Sequence, residues 1–187
     1  VPQDIRLSKV QNVIFAAPSQ SLQAATKMAN NNYGFKVINL GDALQGEARE
    51  VARQQAEQAI QIQNQLSHAD NPVLLLSGGE LTVTKNGNGV GGPNAEFCLA
   101  LAIFLDRQAG IFGLAGDTDG VDGADEIAGA YVTPDTLDHA IKANISAKES
   151  LFQNDAHSFF GTIRNQIITG PTFTNVNDFR AILIYPS

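Results

Sequence analysis

Hydrophobic runs and helical repeats alternate along the chain, and this alternation predicts an α/β protein. Apolar runs without polar alternation predict strands that are buried on both faces; they lie at residues 13–17, 35–40, 73–76, 110–115 and 180–185. Segments with apolar residues at helical spacing lie between these runs, and they end near Asn31, Leu66 and Arg107. This order is typical of a sheet covered by helices. The pattern therefore predicts a three-layer α/β/α fold with a mostly parallel sheet.

Turn-forming residues indicate where the chain divides. Ser67–Pro72 is the strongest boundary, and it separates a predicted βαβα segment, residues 1–70, from a second domain, residues 71–187. Within the second domain, Ser77–Glu80 predicts a turn at the end of a buried strand. The alternation at Leu81–Thr84 predicts another strand directly afterwards. We therefore expect a β-hairpin at this point of an otherwise parallel sheet.

Helix boundaries and histidines add little chemistry to this picture. Ser19 or Ser21 is expected to cap the first helix. Three short helices are expected at residues 134–144, 146–153 and 155–163. His139 and His157 fall in these segments and are predicted to be surface or capping residues.

A glycine-rich loop, residues 87–94, leads into the most apolar helix. Pro93 suits the first turn of a helix, and the free N–H groups there suit an anion such as phosphate. An ordinary glycine hairpin is the alternative. The letters from Gly87 to Gly92 also match GxGxxG, the glycine pattern of dinucleotide-binding sites. Such a site also needs an acidic residue about twenty positions later, at the end of a strand, to bind the ribose. Here that position falls near Asp106, at the end of a helix, so the ribose-binding acid is missing. Gly78 and Gly79 allow either close approach to a ligand or a tight turn.

Two later loops carry polar side chains. Asp117, Asp119 and Asp122 are separated by small residues and predict either a site for a hard cation such as Mg²⁺ or a set of Asx-turns and helix caps. An EF-hand is not indicated, because Val121 and Ala128 stand where that loop requires ligands. The loop before the last strand predicts either contacts to a polar ligand or hydrogen bonds to its own backbone, through Thr172, Thr174, Asn175, Asn177 and Asp178.

Composition narrows the class of protein. With 187 residues and 43% hydrophobic residues the chain can bury a core, and its net charge of −7 argues against nucleic acid as a partner. No run of about 18 apolar residues predicts a membrane span, and the first residues do not resemble a signal peptide. The single Cys98 cannot form an internal disulfide, which favours a cytoplasmic location, and its apolar surroundings predict a buried, inert thiol.

Four motifs, in order, carry a resemblance to a known family. LLLSGGELTVT, GNGVGGPNAEFCLALAI, LAGDTDGVDGADEIAGAYV and ITGPTFTNVNDFRAILI are similar to the C-terminal MOFRL region of class II glycerate kinases, proteins also labelled hydroxypyruvate reductases. The resemblance covers residues 72–187, and the first 70 residues resemble the tail of the preceding region in that family. It implies ATP- and Mg²⁺-dependent transfer of phosphate to a hydroxyl of D-glycerate, at the 2-position. It also implies an N-terminal region of the same parent chain that supplies a Lys and much of the cleft, so this fragment alone is expected to be inactive.

The resemblance and the loop chemistry together suggest roles for individual residues. Phosphate or nucleotide binding is expected of Gly78, Gly79, Glu80, Gly89, Gly91, Gly92, Asn94 and Glu96. Metal binding is expected of Asp117, Asp119 and Asp122, of which Asp117 and Asp119 are also the catalytic candidates, and substrate contact of Thr172, Thr174, Asn175, Asn177 and Asp178. The chain departs from the family at Val90, where Arg is frequent, and at Ala95, where Gln is usual. Two alternative functions stay open: a reductase that uses NAD(P)H and hydroxypyruvate, and a non-catalytic nucleotide-binding or scaffold domain. A homo-oligomer is also expected if an apolar face is exposed.

Overall fold

The computed structural model describes residues 10–11, 16–123 and 126–187. Its helices are α1 Pro18–Tyr33, α2 Ala48–Gln63, α3 Pro93–Leu105, α4 Thr136–Lys142, α5 Ala147–Phe152 and α6 Ala156–Ile163. Its strands are β1 Lys36–Asn39, β2 Leu44–Glu47, β3 Val73–Thr82, β4 Ile111–Asp117, β5 Gly129–Val132, β6 Gln166–Ile167 and β7 Asp178–Ile184. The strand expected at residues 13–17 falls mostly outside the described residues, and its last two residues precede α1 without regular structure.

The strands form one mixed sheet. In the described part of the chain the order is β1-β3-β7-β4-β5-β6, with β2 also paired to β3. The α/β class is confirmed, but the expectation of a mostly parallel sheet is wrong. Only β1 and β2 run parallel to β3, whereas β7 is antiparallel to both β3 and β4, and β5 is antiparallel to β4 and β6. The last strand inserts between the parallel strands β3 and β4, and its apolar pattern does not indicate its direction, because such a pattern records burial and not orientation.

The expected turn and hairpin at residues 77–84 are replaced by one long strand. β3 continues through Ser77–Glu80 to Thr82, and its second half pairs with β2, an element that the sequence pattern did not predict. Gly79 has a φ of +100°, and a Cβ at this position would lie 2.2 to 2.9 Å from backbone atoms of Leu44. The glycine therefore lets β2 approach β3 rather than forming a turn.

Helices lie on both faces of the sheet, which fits the predicted three-layer arrangement. α2 and α3 cover one face, and α3 is buried on nearly all sides, with Phe97, Cys98 and Leu101 fully inaccessible. α4, α5 and α6 pack against the outer side of α3. On the opposite face α1 packs on the sheet through Leu22. None of the described helices is both long and apolar enough to cross a membrane.

α1 begins differently from the prediction. Ala17 is the N-cap residue, Pro18 occupies the first turn, and the helix start has no side-chain cap. Proline suits this position because its missing N–H would have no helical partner. Ser19 and Ser21 therefore lie inside the helix, which ends at Gly34 in a left-handed conformation as glycine commonly allows.

Candidate functional site

Polar residues from distant parts of the chain meet at one edge of the sheet. β4 ends at Asp117 and β7 begins at Asp178, and the two residues are directly paired across the antiparallel ladder. Their side chains therefore lie on the same face of the sheet, the face that α3 covers. α3 also begins at this edge, with Asn94 in its first turn. The sequence predicted a role for each of these three residues but did not predict their proximity.

Asp122 caps α3. Its carboxylate accepts the backbone N–H groups of Asn94 at 3.0 Å and Ala95 at 2.8 Å, and the Asn94 side chain donates to it at 3.2 Å. His157 Nε2 lies 3.3 Å from Oδ2 of Asp122, and both side chains are buried. A carboxylate at a helix start is stabilised by the N–H groups and by the helix dipole. Asp122 thus takes up the place that the sequence interpretation gave to phosphate, and a Cβ at Gly92 would lie 2.4 Å from its Cγ.

A buried ion pair continues this network across the sheet. Asp178 accepts a hydrogen bond from Nδ2 of Asn94 at 2.8 Å and one from Arg180 at 2.9 Å. The second Nη of Arg180 donates to the carbonyl of Gly78 at 2.5 Å, and its guanidinium carbon lies 5.9 Å from the ring centre of Phe97. Burial raises the pKa of Asp178 and lowers the pKa of Arg180 from their ordinary values. These contacts give Asp178 a structural role beside the predicted substrate contact.

Asp117 and Asp119 form the more accessible part of the site. Asp117 is half-buried, and its Oδ1 accepts the backbone N–H of Asp119 at 3.0 Å. Burial raises the pKa of Asp117 to about 6, and the negative charges of Asp119 and Asp178 add to this effect. Asp119 accepts the N–H of Val121 at 2.9 Å. A half-buried carboxylate with a raised pKa is suited to accept a proton from a substrate.

The predicted substrate loop packs against this acidic loop. Asn175 Nδ2 donates to Asp119 at 3.2 Å, and the hydroxyl of Thr118 accepts the N–H of Val176 at 2.9 Å. The Thr172 hydroxyl donates to the carbonyl of Thr118, so the two loops are joined at several points. The side chains expected to contact substrate are exposed here, and they are Thr172, Thr174, Asn175 and Asn177. The structure therefore brings these four residues together with Asp117 and Asp119.

The glycine loop is held by protein groups rather than left open. The backbone N–H groups of Asn86 and Gly87 donate to Oδ1 of Asn154 at 2.8 and 2.9 Å, and the N–H of Gly89 donates to the carbonyl of Gln153 at 2.9 Å. The N–H of Val90 donates to Asp155 at 3.0 Å. A Cβ at Gly87 or at Gly89 would lie under 3.0 Å from residues 153–155. These glycines are required by the close contact of two chain segments.

The remaining predicted residues lie elsewhere or have other partners. Gly78 and Gly79 are inside β3, and the N–H of Gly78 donates to the carbonyl of Gly41 at 2.8 Å. Glu80 is exposed beside β2. Glu96 is buried and pairs with Arg49 at 2.7 Å. Of the predicted phosphate contacts, Asn94 touches the carboxylates directly, since its side chain donates to Asp122 and to Asp178, and Gly91 and Gly92 lead into α3 just before it.

The three loop aspartates do not form a joint cation site. Both oxygens of Asp122 face the start of α3. Among all residues that the structure describes, no group of three or more His, Cys, Asp or Glu side chains is placed to hold a metal ion. Mg²⁺ commonly takes only one or two protein carboxylates and completes its shell with water and substrate phosphate. Asp117 and Asp119 fit that smaller requirement.

Comparisons with known proteins agree with this architecture. A family model described as the MOFRL family matches residues 73–178, which is more than half of the chain. The chain belongs to the MOFRL family. An Agrobacterium vitis protein named "Putative hydroxypyruvate reductase" is 44% identical, over 98% of this chain and 46% of its own length. A glycerate 2-kinase of Pyrococcus horikoshii is 34% identical, over 91% of this chain and 39% of its own length.

A solved structure shows the same arrangement of elements. The crystal structure of a glycerate kinase from Thermotoga maritima matches with a TM-score of 0.89 at 31% identity, and it covers 95% of this chain and 42% of that one. This MOFRL chain therefore spans less than half the length of each of these relatives.

Several residues of the MOFRL site were missed by sequence reasoning. Arg180 begins an apolar run, and the sequence pattern predicted only that it belongs to a strand. An arginine two residues after an aspartate lies on the same face of a strand, and in a buried strand this spacing indicates an internal ion pair. His157 is buried against Asp122, so its predicted surface position is wrong. Asn154 and Arg49 gave no local signal, because each acts on residues at least 47 positions away.

Proposed function

We propose that this MOFRL chain is the C-terminal part of a glycerate kinase-like phosphotransferase. The enzyme transfers the terminal phosphate of ATP to a hydroxyl of D-glycerate, at the 2-position. The names of the glycerate kinase relatives support this substrate and this reaction. The structural observation that carries the proposal is the half-buried Asp117, which is paired with Asp178 across the sheet and hydrogen-bonded to the backbone of Asp119. Burial raises its pKa to about 6, which supports the same role.

Asp117 is the general base in this proposal. Its Oδ1 is engaged by the N–H of Asp119, so we assign Oδ2 to accept the proton of the glycerate hydroxyl. The hydroxyl oxygen then bonds to the terminal phosphorus of ATP, and the bond from that phosphorus to the bridging oxygen of ADP breaks. Phosphoryl transfer depends mainly on positioning and on charge neutralisation. Proton removal by a carboxylate with a pKa near the working pH contributes the acid–base part.

Mg²⁺ neutralises the phosphate charge when it is bound with ATP. Asp119 is the group we assign to hold it, because a single carboxylate suffices when phosphate oxygens and water complete the shell, and Oδ2 of Asp117 then stays available for the hydroxyl proton. Asn175 orients Asp119 through its 3.2 Å hydrogen bond. Asp122 has no place in this ion shell, since its carboxylate caps α3.

We assign the two ligands to different loops beside the carboxylates. The loop side chains of Thr172, Thr174 and Asn177 are exposed and polar, and we assign them to the hydroxyl and carboxylate groups of glycerate. We assign the backbone of the half-buried Gly91 to the phosphates, because Gly92 is buried against Asp122. Val90 supplies no guanidinium in this loop, so phosphate charge has to be balanced by Mg²⁺ and by basic groups from the rest of a longer chain.

The remaining part of the longer protein completes the cleft. The relatives are more than twice as long as this chain, and the sequence contains no Lys or Arg between Arg107 and Lys142, the stretch that carries Asp117 and Asp119. We therefore expect the 187-residue chain alone to bind ligand weakly and to turn over little or no substrate. The cytoplasmic location and the homo-oligomer stay predictions.

A paired assay on the full-length protein tests the proposal. One reaction follows ADP release from Mg-ATP with D-glycerate, and nuclear magnetic resonance of the product identifies the phosphorylated hydroxyl. Asp117→Asn is expected to lower kcat at least 100-fold, in the range that general-base removal produces. Asp135→Asn is the matched control, because Asp135 is exposed and its side chain caps nothing. An Asp117→Asn enzyme with wild-type kcat would reject Asp117 as the base.

A reductase is the second candidate, and the name of the Agrobacterium vitis relative favours it. The same full-length protein is therefore assayed with NADH and hydroxypyruvate. The helix start that usually receives a dinucleotide pyrophosphate is occupied in this chain by Asp122. NADH consumption without ADP release would overturn the kinase proposal.

A further inference from the structure

A buried side chain connects the glycine loop to the helices behind it. Asn154 follows α5, is 5% exposed, and has a φ of +54°. Its Oδ1 accepts the consecutive backbone N–H groups of Asn86 and Gly87 at 2.8 and 2.9 Å. Its Nδ2 donates to Oε2 of Glu96 at 2.9 Å and to the carbonyl of Thr84 at 3.3 Å. One amide group thus contacts both ends of a turn of the loop and the first turn of α3.

Glu96 determines which way this amide points. An asparagine amide can be turned by 180° with little change in shape, so its neighbours must select between the two orientations. The backbone N–H groups of Asn86 and Gly87 can only donate, and an ionised Glu96 can only accept. Only the orientation with Oδ1 towards the loop and Nδ2 towards Glu96 satisfies both sides.

Arg49 in turn fixes the carboxylate. Its Nη2 and Nε lie 2.7 and 3.0 Å from Oε1 of Glu96, and this leaves Oε2 for Asn154. The charge of the buried Glu96 is therefore neutralised from α2, while the amide is held from α3. The chain of contacts runs from Arg49 through Glu96 and Asn154 to the loop backbone.

We infer that Asn154 is a positioning residue that holds the start of the glycine loop in the form that presents the backbone of Gly91 to the ligand, and that Glu96 sets the orientation of the Asn154 amide. The inference rests on the proposed function for the identity of that ligand, the phosphates of a nucleoside triphosphate. Neither residue touches the ligand in this role. Glu96, which the sequence suggested as a phosphate contact, acts instead through Asn154. A loop that is already ordered before the ligand binds loses less conformational entropy on binding, so the ligand binds more tightly.

Two variants of Asn154 separate its parts. Asn154→Gly removes the amide and keeps the left-handed backbone, which glycine adopts without strain. Asn154→Asp keeps an acceptor for the loop, but at pH 8 it places a second carboxylate against Glu96 in place of the donor. Asn144 provides the matched control, since it is exposed and has a similar φ of +56°. Asn144→Gly and Asn144→Asp make the same chemical changes without touching the loop.

Hydrogen exchange of the loop amides is the first readout. In the full-length protein at pH 8, the amides of Asn86 and Gly87 are expected to exchange about tenfold faster in both Asn154 variants, as expected for the loss of a net hydrogen bond, and at the wild-type rate in both Asn144 variants. Wild-type exchange in Asn154→Gly would overturn the inference. Wild-type exchange in Asn154→Asp alone would show that an acceptor is sufficient and would overturn the orienting role of Glu96.

Kinetics on the same variants are the second readout. KM for ATP is expected to rise at least fivefold in Asn154→Gly while kcat stays within twofold, because the loop binds the nucleotide but performs no chemistry. Faster exchange with an unchanged KM would overturn the positioning role. A wild-type protein without kinase activity would refute the proposed function, and the exchange experiment would still decide whether Asn154 holds the loop.

Discussion

Removing the carboxylate of Asp122 is the sharpest test of how the site is built. The three aspartates at residues 117–122 look alike in sequence, but only Asp122 is fully buried, at 1% exposure. It receives two backbone N–H groups of α3 and the side chain of Asn94. If this assignment is correct, Asp122→Ala destabilises the whole domain, because α3 lies in the centre of the core.

The magnitude follows from the contacts. Loss of an N-cap costs about 1 kcal/mol, and loss of a partly buried charge at a helix end costs up to about 2 kcal/mol. Two backbone donors are also left buried, and one unsatisfied donor costs about 1–3 kcal/mol. These contributions overlap, so we expect Asp122→Ala to lower the free energy of unfolding by roughly 3–4 kcal/mol. Asp122→Asn keeps one acceptor and should lose roughly half as much.

Urea unfolding at pH 7, followed by circular dichroism, measures this difference. Asp135→Ala is the control, because Asp135 stands at the N-cap position of α4 without a side-chain hydrogen bond. Its expected change is within about 0.5 kcal/mol. A loss of less than about 1 kcal/mol for Asp122→Ala would refute the capping role and would reopen the start of α3 as a site for phosphate.

Three further results are expected. Gly79→Ala should destabilise the protein by more than about 3 kcal/mol in the same urea assay, because its Cβ would meet the backbone of Leu44 at 2.2 Å. Gly170→Ala is the control: Gly170 has a φ of +65° and nothing within 4 Å of its Cβ position, so the substitution should cost only about 1 kcal/mol. Equal losses for the two variants would contradict the close approach of β2. The folded-state pKa of Asp117 is raised to about 6 from its ordinary 3.8, so ionisation of this carboxyl group opposes folding. The wild-type protein should therefore lose stability relative to Asp117→Asn as the pH rises from 4 through 6. Parallel curves of stability against pH for the two proteins would argue against the shift. Burial raises the pKa of Cys98 far above its ordinary value, so its thiol should resist a disulfide reagent at pH 8 in buffer and react fully in 8 M urea, and rapid labelling of the native protein would contradict its burial.

Local sequence patterns predicted most of the individual elements. α3 is apolar on nearly every side because it is enclosed by the sheet and by α2, α4, α5 and α6, and its composition predicted an apolar helix at this position. Proline and glycine located the start of α3 and the end of α1, since their effects on φ act within one or two residues. The loops at residues 117–123 and 169–178 were also recognised as polar and rich in hydrogen-bonding groups.

The pairing of distant segments was not predictable in the same way. β7 lies between β3 and β4 and runs antiparallel to both. The sequence did not predict this direction, because an apolar run records burial and not orientation. β2 was missed because a four-residue strand with a central glycine, Gly46, has no clear alternation.

The sequence by itself determined that this MOFRL chain carries carboxylates, glycines and polar loop residues at the ends of apolar elements. Only the tertiary structure decided what each of them does. Asp117 and Asp122 are five positions apart, yet one is half-exposed beside Asp119 and the other is buried at the start of α3. Asp122 depends on Asn94, Ala95 and His157, which lie 27 to 35 residues away in the sequence, and Asp117 is paired across the sheet with Asp178. A side chain in a loop takes its direction and its pKa from such neighbours, and these are brought together only when the sheet and α3 have packed.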